Sequence, residues 1–110
     1  MNIFHTIAEL ELDVKAVTDA GASMIVLECV PAPVGSRLSQ NSTVPVIGIG
    51  AGPGTHGQVM VLHDILGWTS KPPKFARNFV AGTNTVQDAI SAYVTAVRDA
   101  SFPNESECYA

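Results

Sequence analysis

Glu28 is the residue whose type and position most directly suggest chemistry. It lies inside the apolar run IVLECV, where burial of an ionised carboxylate without a partner is costly. Burial raises the pKa of a carboxylate toward the range that is useful for a general acid or base. The alternative is a structural carboxylate that faces a polar layer or pairs with a Lys or Arg, as ion pairs inside proteins do. The residues alone leave both interpretations open.

A glycine-rich segment, PVIGIGAGPGTHGQV at residues 45–59, follows a run of Val and Ile. Gly52, Gly54 and Gly57 match G-x-G-x-x-G, the pattern of a dinucleotide-binding turn. Such a turn needs its third glycine at the start of a helix and an acidic residue about 20 positions later. Here Pro53 interrupts the pattern, QVMVL follows it, and position 77 is Arg77. The segment is therefore expected to be a strand end at which glycines let backbone, or a substrate, approach the main chain.

Two other kinds of site have weaker signals. His56, His63 and Asp64 could bind a metal, but their spacing matches no standard ligand motif, and a hydrogen-bonded histidine is the commoner case. The sequence also has no G-x-S-x-G motif for a nucleophilic serine.

Composition limits the remaining classes. The chain has 110 residues, 46% hydrophobic and 15% charged, which suits one small folded domain. Its net charge of −4 and its six scattered basic residues argue against a nucleic-acid or anionic-membrane surface. No secretory signal or membrane span is visible, and Cys29 and Cys108 lack C-x-x-C spacing. We expect reduced thiols and a cytoplasmic location.

Helical periodicity marks both ends of the chain. Near the start, apolar residues recur at helical spacing, with Thr6 and Glu9 as a possible capping box and Gly21 as a C-terminal stop. Near the end, a second apolar set predicts a helix that Thr85 caps with Asp88 as its partner. We expect the polar residues 102–110 to form a flexible tail.

The segments between these helices are typical of a parallel sheet. SMIVLECV and VPVIGIG have apolar residues on both sides of the pleat, which predicts strands buried on both faces. QVMVL favours a third strand, while residues 34–40 and KFARNFVA predict short helices. This alternation predicts an α/β fold with parallel strands. Since three parallel strands leave open edges, we expect residues 1–110 to belong to a larger unit.

Three segments taken together resemble the C-terminal part of ketopantoate hydroxymethyltransferase, the 3-methyl-2-oxobutanoate hydroxymethyltransferase of pantothenate biosynthesis. They are GASMIVLECVP, VPVIGIGAGPGTHGQVMVLHDILGW and PKFARNF. AYVTAVRDASFP is similar to the closing helix of the family and its Phe-Pro stop. The likeness runs from about Glu9 to SFPNESE, nearly the whole chain, and the linked motifs are far more specific than a glycine pattern alone.

The resemblance implies a (β/α)8 TIM-type barrel of which residues 1–110 hold roughly the last three strands. Active sites of such barrels lie at the carboxyl ends of the strands, where GIGAG falls, so Ile49 and Gly50 are expected in the wall of the substrate pocket. The family transfers a hydroxymethyl group from 5,10-methylenetetrahydrofolate to 3-methyl-2-oxobutanoate, giving 2-dehydropantoate. Glu28 matches the glutamate of the LECVP motif, which implies that it is the general base.

The resemblance also implies a magnesium ion that holds the keto acid and polarises its carbonyl. The acidic metal ligands of the family belong to the first half of the barrel, and no segment here matches them, so no metal ligand is assigned in this chain. The family forms homo-oligomers. We expect a truncated product or one piece of a split enzyme, inactive by itself. The alternative is a non-catalytic remnant or interaction segment that associates with a full barrel.

Overall fold

The computed structural model describes residues 3–109, with side chains from residue 7 onward, as an α/β unit built on a three-stranded parallel sheet. This confirms the predicted fold class at the level of α/β with parallel strands. In chain order the elements are α1 (Ile3–Asp19), β1 (Ile25–Glu28), α2 (Ala32–Gln40), β2 (Val46–Ile49), β3 (Gly57–Gln58), α3 (Leu62–Ile65), α4 (Val86–Arg98) and a 3-10 helix (Glu105–Glu107).

The sheet has the strand order β1-β2-β3, and both neighbouring pairs are parallel. Ile25 pairs with Val46 and Glu28 with Ile49, so β1 and β2 start and end together. Paired residues of neighbouring strands point to the same face of a sheet, and successive residues alternate between faces. The register therefore separates the side chains of β1 and β2 into two sets.

One face of the sheet forms the first of two hydrophobic cores, packed against α1 and α2. Leu27 and Val46 from the strands meet Val34 and Leu38 from α2, and all four are buried. Leu10 of α1 packs against the same cluster. Apolar residues three and four apart lie on the same face of a helix, which is why α1 and α2 can cover the sheet along one side.

The other face of the sheet is not buried as the sequence predicted. Val26 is 62% exposed and Glu28 is exposed, while Ile47 and Ile49 are half-buried. The prediction of strands buried on both faces is therefore wrong for this chain. Apolar residues on both sides of the pleat show that both faces are suited to burial, but only one has α1 and α2 against it.

A second core lies on α4 and the loop that precedes it. Phe79 and Phe102 pack edge-on at a ring-centroid distance of 5.4 Å, and Tyr93 of α4 joins them. Met60 and Ile65, after β3 and in α3, belong to the same buried cluster. The predicted cap of α4 is confirmed, since the Thr85 hydroxyl accepts a hydrogen bond of 3.0 Å from the Asp88 amide.

Several local predictions differ from the structure. α1 begins at Ile3, so Thr6 lies within the helix and does not cap it. The predicted third strand forms, but it is only Gly57–Gln58. Of QVMVL it includes Gln58 alone, because the chain after it leads into α3. The helix predicted after Pro73 does not form. There the amide of Phe79 donates to the carbonyl of Ile65, a long-range bond that competes with helical pairing.

The segment predicted as a flexible tail packs onto the rest of the chain. Phe102 is 4% exposed, Glu107 is buried, and Tyr109 forms a parallel bridge with Pro31 after β1. Local polarity suggested a free end, but the partners of these residues lie far away in sequence. Among the described helices, none has the length and apolar content that a membrane span requires.

The open sheet face leads to a testable expectation. A contiguous apolar surface binds the dye ANS, whereas single exposed apolar residues do so poorly. We expect Val26→Lys to lower dye fluorescence, since Val26 lies among other apolar side chains of this face. Val86→Lys is the matched control, because Val86 is 52% exposed at the start of α4. Equal losses in both variants would contradict a special role for the sheet face.

Candidate functional site at the carboxyl end of the sheet

The carboxyl ends of β1 and β2 bring the predicted site residues together. Glu28 ends β1 and pairs directly with Ile49, the last residue of β2. The amide of Cys29 donates a hydrogen bond of 2.9 Å to the Ile49 carbonyl, which keeps the two chains side by side beyond the strands. Two of the three residues predicted from sequence are thus neighbours, and the third, Gly50, follows at once.

Glu28 presents its side chain to solvent on the open face of the sheet. Leu27 is buried, but it points to the opposite face because side chains alternate along a strand. An accessible carboxylate at the end of a parallel strand can accept hydrogen bonds or a proton from a molecule placed over this face.

Ile49 and Gly50 occupy different surroundings. Ile49 is half-buried and lies on the same face as Glu28, since the two are register partners. Gly50 is buried in a left-handed conformation with φ of 66°. A Cβ at Gly50 would lie 2.7 Å from the Phe75 ring, so the ring packs directly on the main chain there. Gly50 therefore lies directly beneath the Phe75 ring, and its role in a pocket wall stays a prediction.

Gly52 and Gly54 of the loop pack against α2, and Gly35 of α2 packs against the loop. A Cβ at Gly52 would lie 2.5 Å from the Cβ of Ala32, and one at Gly35 would overlap the carbonyl oxygen of Ala51. These contacts hold backbone against backbone, as glycine allows and other residues do not. The Gln58 amide group donates to the Gly52 carbonyl at 2.8 Å and fixes the loop from its other side. The glycines of this loop serve close packing of the main chain, as the sequence predicted when it disfavoured a phosphate-binding loop.

The candidate metal residues do not form one site. His56 uses its Nδ1 to accept a hydrogen bond of 2.9 Å from the amide of Val46, at the start of β2. His63 packs edge-on against Trp68, and the buried Asp64 accepts a hydrogen bond of 2.5 Å from Thr69. Among the side chains of residues 7–109, no three His, Cys, Asp or Glu come together as metal ligands do. The described residues therefore do not fit a magnesium ion by themselves.

Three groups near the exit of β1 were not predicted from the sequence as site residues: Cys29, Tyr109 and Lys74. Cys29 is a free thiol with φ of 56°, and it lies close enough to the phenol of Tyr109 to affect its pKa. Burial, followed by the proximity of Cys29, raises the pKa of Tyr109. The ammonium of Lys74 lies 5.8 Å from the centre of the Tyr109 ring. The segment PKFARNF places two basic residues close to two aromatic residues, which suggests contacts between cations and aromatic rings. The sequence does not show which rings they contact.

Two surface cavities lie near these elements. One of about 520 Å3 is adjacent to the candidate site and is lined by Lys74, Tyr109, Ala32 and Pro53 among others. The other, of about 430 Å3, lies between α1 and α2, where Arg37 and Glu11 form an ion pair at 2.7 Å. Only the first adjoins the carboxyl ends at which sites of parallel sheets form.

Comparisons with known proteins show which family includes this sequence. A model of the ketopantoate hydroxymethyltransferase family matches residues 5–105. The chain belongs to this family. Proteins named 3-methyl-2-oxobutanoate hydroxymethyltransferase from Xanthomonas oryzae pv. oryzae and Xanthomonas axonopodis pv. citri are each 52% identical to it over 104 residues. A relative of the same name from Xanthomonas campestris pv. campestris is also 52% identical.

The match covers 93% of this chain and 38% of each of these relatives, as a C-terminal portion of their length. The resemblance noted in the sequence is thereby confirmed. The matched range, residues 5–105, includes all three strands and also Glu28, Ile49 and Gly50 at their carboxyl ends.

The contact between Gly35 and the glycine loop can be tested by substitution. In a helix interior alanine is normally more favourable than glycine by about 1 kcal/mol. We expect Gly35→Ala to destabilise the chain instead, by about 1–3 kcal/mol, because the new methyl group overlaps the Ala51 carbonyl. Hydrogen exchange should quicken in both α2 and the loop. Gln40→Ala, at the exposed end of α2, is the control, and slower exchange in Gly35→Ala would contradict the contact.

Proposed function

We propose that this chain supplies the catalytic base of a hydroxymethyltransferase that converts 3-methyl-2-oxobutanoate to 2-dehydropantoate. The one-carbon donor would be 5,10-methylenetetrahydrofolate. One observation carries the proposal: in a member of this family, Glu28 lies at the carboxyl end of a parallel strand, beside the end of the next strand. Sites of (β/α)8 barrels are built at that end of their strands.

We propose that the three strands are part of such a barrel. The open face carries Val26, Ile47 and Ile49, an apolar set suited to the packed interior of a barrel. The relatives are longer than this chain, which covers 38% of their length. Residues beyond these 110 would then close the barrel and cover the open face.

Closure would also change the surroundings of Glu28. The carboxylate is exposed in this chain, and a carboxylate surrounded by water is a weak base. Covering the sheet face would exclude water from its carboxyl edge, the condition under which a carboxylate takes protons more readily. The proposed site is therefore incomplete without the rest of the barrel.

The proposed role of Glu28 is a single proton transfer. Its carboxylate oxygen takes the proton on C3 of the keto acid, and the electron pair of that C–H bond moves toward the keto group to give an enolate. The enolate carbon then bonds to the methylene carbon of the folate co-substrate, and both bonds from that carbon to the folate nitrogens break. Water supplies the hydroxyl group of the product. Tetrahydrofolate leaves with two protons on its nitrogens, one from C3 by way of Glu28 and one from the water. The family resemblance implies that magnesium assists this reaction, and its ligands would belong to another part of the barrel.

The first expectation concerns activity of the chain alone. We expect the 110-residue chain to show no turnover with the keto acid, methylenetetrahydrofolate and magnesium. Co-expression with the region of a Xanthomonas relative that this chain does not match should restore product formation. Turnover by the chain alone would contradict the need for a complete barrel. Failure of a stable, associated pair to turn over would favour the non-catalytic alternative.

The second expectation concerns Glu28 in that pair. Glu28→Gln keeps the shape of the side chain but removes the basic oxygen, so turnover should fall by about 10²–10⁴-fold. Exchange of the C3 proton of the keto acid with deuterated water should fall by a similar factor. Binding of the keto acid should change little.

Glu11→Gln is the matched control, since Glu11 lies between α1 and α2, away from the carboxyl edge. It should leave both rates unchanged. If Glu28→Gln exchanges the C3 proton as fast as the parent, Glu28 is structural and the base is another group.

A further inference from the structure

Arg77 is the centre of a set of contacts that hold the C-terminal residues. Its guanidinium donates to both carboxylate oxygens of Glu107, with distances of 2.9 Å from Nε and 2.5 Å from Nη2. Nη2 also donates to the Ser101 carbonyl at 3.1 Å. The guanidinium carbon lies 5.4 Å from the Phe79 ring centre and 5.0 Å from that of Phe102. One side chain thus binds the segment at three points.

Glu107 is suited to this pairing by its own surroundings. It is 9% exposed, and an ionised carboxylate that is buried to this degree needs a counter-charge. One of its oxygens also accepts a hydrogen bond of 2.9 Å from the Asn104 amide, and the Asn104 side chain accepts from the Glu107 amide. This capping box fixes the turn between Asn104 and Glu107, so the position of Arg77 determines that of the whole segment.

The C-terminal segment, residues 102–109, places Tyr109 near the candidate site. Tyr109 pairs with Pro31 in a parallel bridge just after β1 and packs against Phe75 at 6.4 Å. Pro31 lies three residues after Glu28, so the bridge places Tyr109 beside the exit of β1. Phe75, in turn, is the ring that lies on Gly50. The phenol therefore reaches the same strand ends as the residues of the proposed site.

We propose that Arg77 is a positioning residue, which fixes residues 102–109 across the exit of β1 and so adds the Tyr109 phenol to the site of Glu28. The idea rests on the proposed function for the identity of that site. Its evidence is separate, because the contacts of Arg77 and Tyr109 are independent of any reaction.

A phenol in this position supplies a neutral hydrogen-bond donor. The titratable and charged groups around it are Cys29, Lys74, Cys108 and Glu105. Burial and Cys29 raise the pKa of Tyr109, so the phenol keeps its proton at neutral pH. Beside a carboxylate that accepts protons, such a group can donate to an oxygen of a bound molecule.

The test follows titration of the Tyr109 phenol by its phenolate absorbance in the 110-residue chain. A Tyr93→Phe background leaves Tyr109 as the single tyrosine and keeps the ring that packs in the second core. Arg77→Gln removes the counter-charge of Glu107 and should release the segment. The apparent pKa of Tyr109 should then fall toward the ordinary value of about 10. Arg98→Gln, an exposed arginine on α4, is the matched control and should leave the titration unchanged.

A loss of stability alone would lower the melting temperature without moving this titration, which separates positioning from a general structural role. Arg77→Lys keeps the charge but not the two-pronged contact, and should give an intermediate shift. An unchanged Tyr109 titration in a folded Arg77→Gln variant would overturn the proposal.

A second variant keeps the proposal falsifiable if Arg77→Gln does not fold. Cys29→Ala removes the group beside the phenol and should also lower the pKa of Tyr109, while amide exchange at Glu107 and Cys108 stays slow. An unchanged titration in Cys29→Ala would show that Tyr109 does not lie at the exit of β1. Neither readout uses catalysis, so failure here leaves the proposed function standing, and loss of that function leaves the placement of Tyr109 intact.

Discussion

The pairing of β1 with β2 in register is the constraint on which the rest of this structure depends. Because Ile25 faces Val46 and Glu28 faces Ile49, the two strands end at the same level. The same register directs Leu27 and Val46 toward α1 and α2, and Val26 and Glu28 toward the open face. A shift of one residue in β1 would exchange these sets and bury the carboxylate among apolar side chains. Core packing and the position of Glu28 are thus two results of one register.

The glycine loop shows how packing can imitate a binding motif. Its spacing satisfies a dinucleotide pattern, yet its main chain lies against Ala32 of α2 and its neighbour Gly35 lies against Ala51. Glycine is needed here because the two backbones approach more closely than any side chain permits. This approach brings α2 over the end of β2 and closes the first core. Glu28, Phe75 and Tyr109 are then the side chains that lie at the carboxyl edge of the sheet.

Arg77 joins the second core to the candidate site. Its guanidinium lies against aromatic rings of that core, and its hydrogen bonds hold the buried carboxylate of Glu107. Such a pair contributes specificity mainly because Glu107 without Arg77 would be a buried, unpaired charge. The result is a defined path for the C-terminal residues, which would otherwise be free to take many conformations. Aromatic and ionic contacts distant in sequence therefore determine what lies beside β1.

The sequence by itself determined the fold class, the family and the cap of α4, since these depend on periodicity, linked motifs and a local hydrogen bond. It also identified Glu28, because an acidic residue in an apolar strand is conspicuous without any knowledge of its neighbours. Tertiary structure decided that Glu28 is exposed, that the third strand ends at Gln58, and that residues 102–109 are packed. Each of these depends on contacts between residues far apart in the chain, such as Arg77 with Glu107 and Cys29 with Tyr109. The local composition of a segment indicates which of its side chains are suited to burial. Which other segments pack against those side chains depends on the tertiary structure.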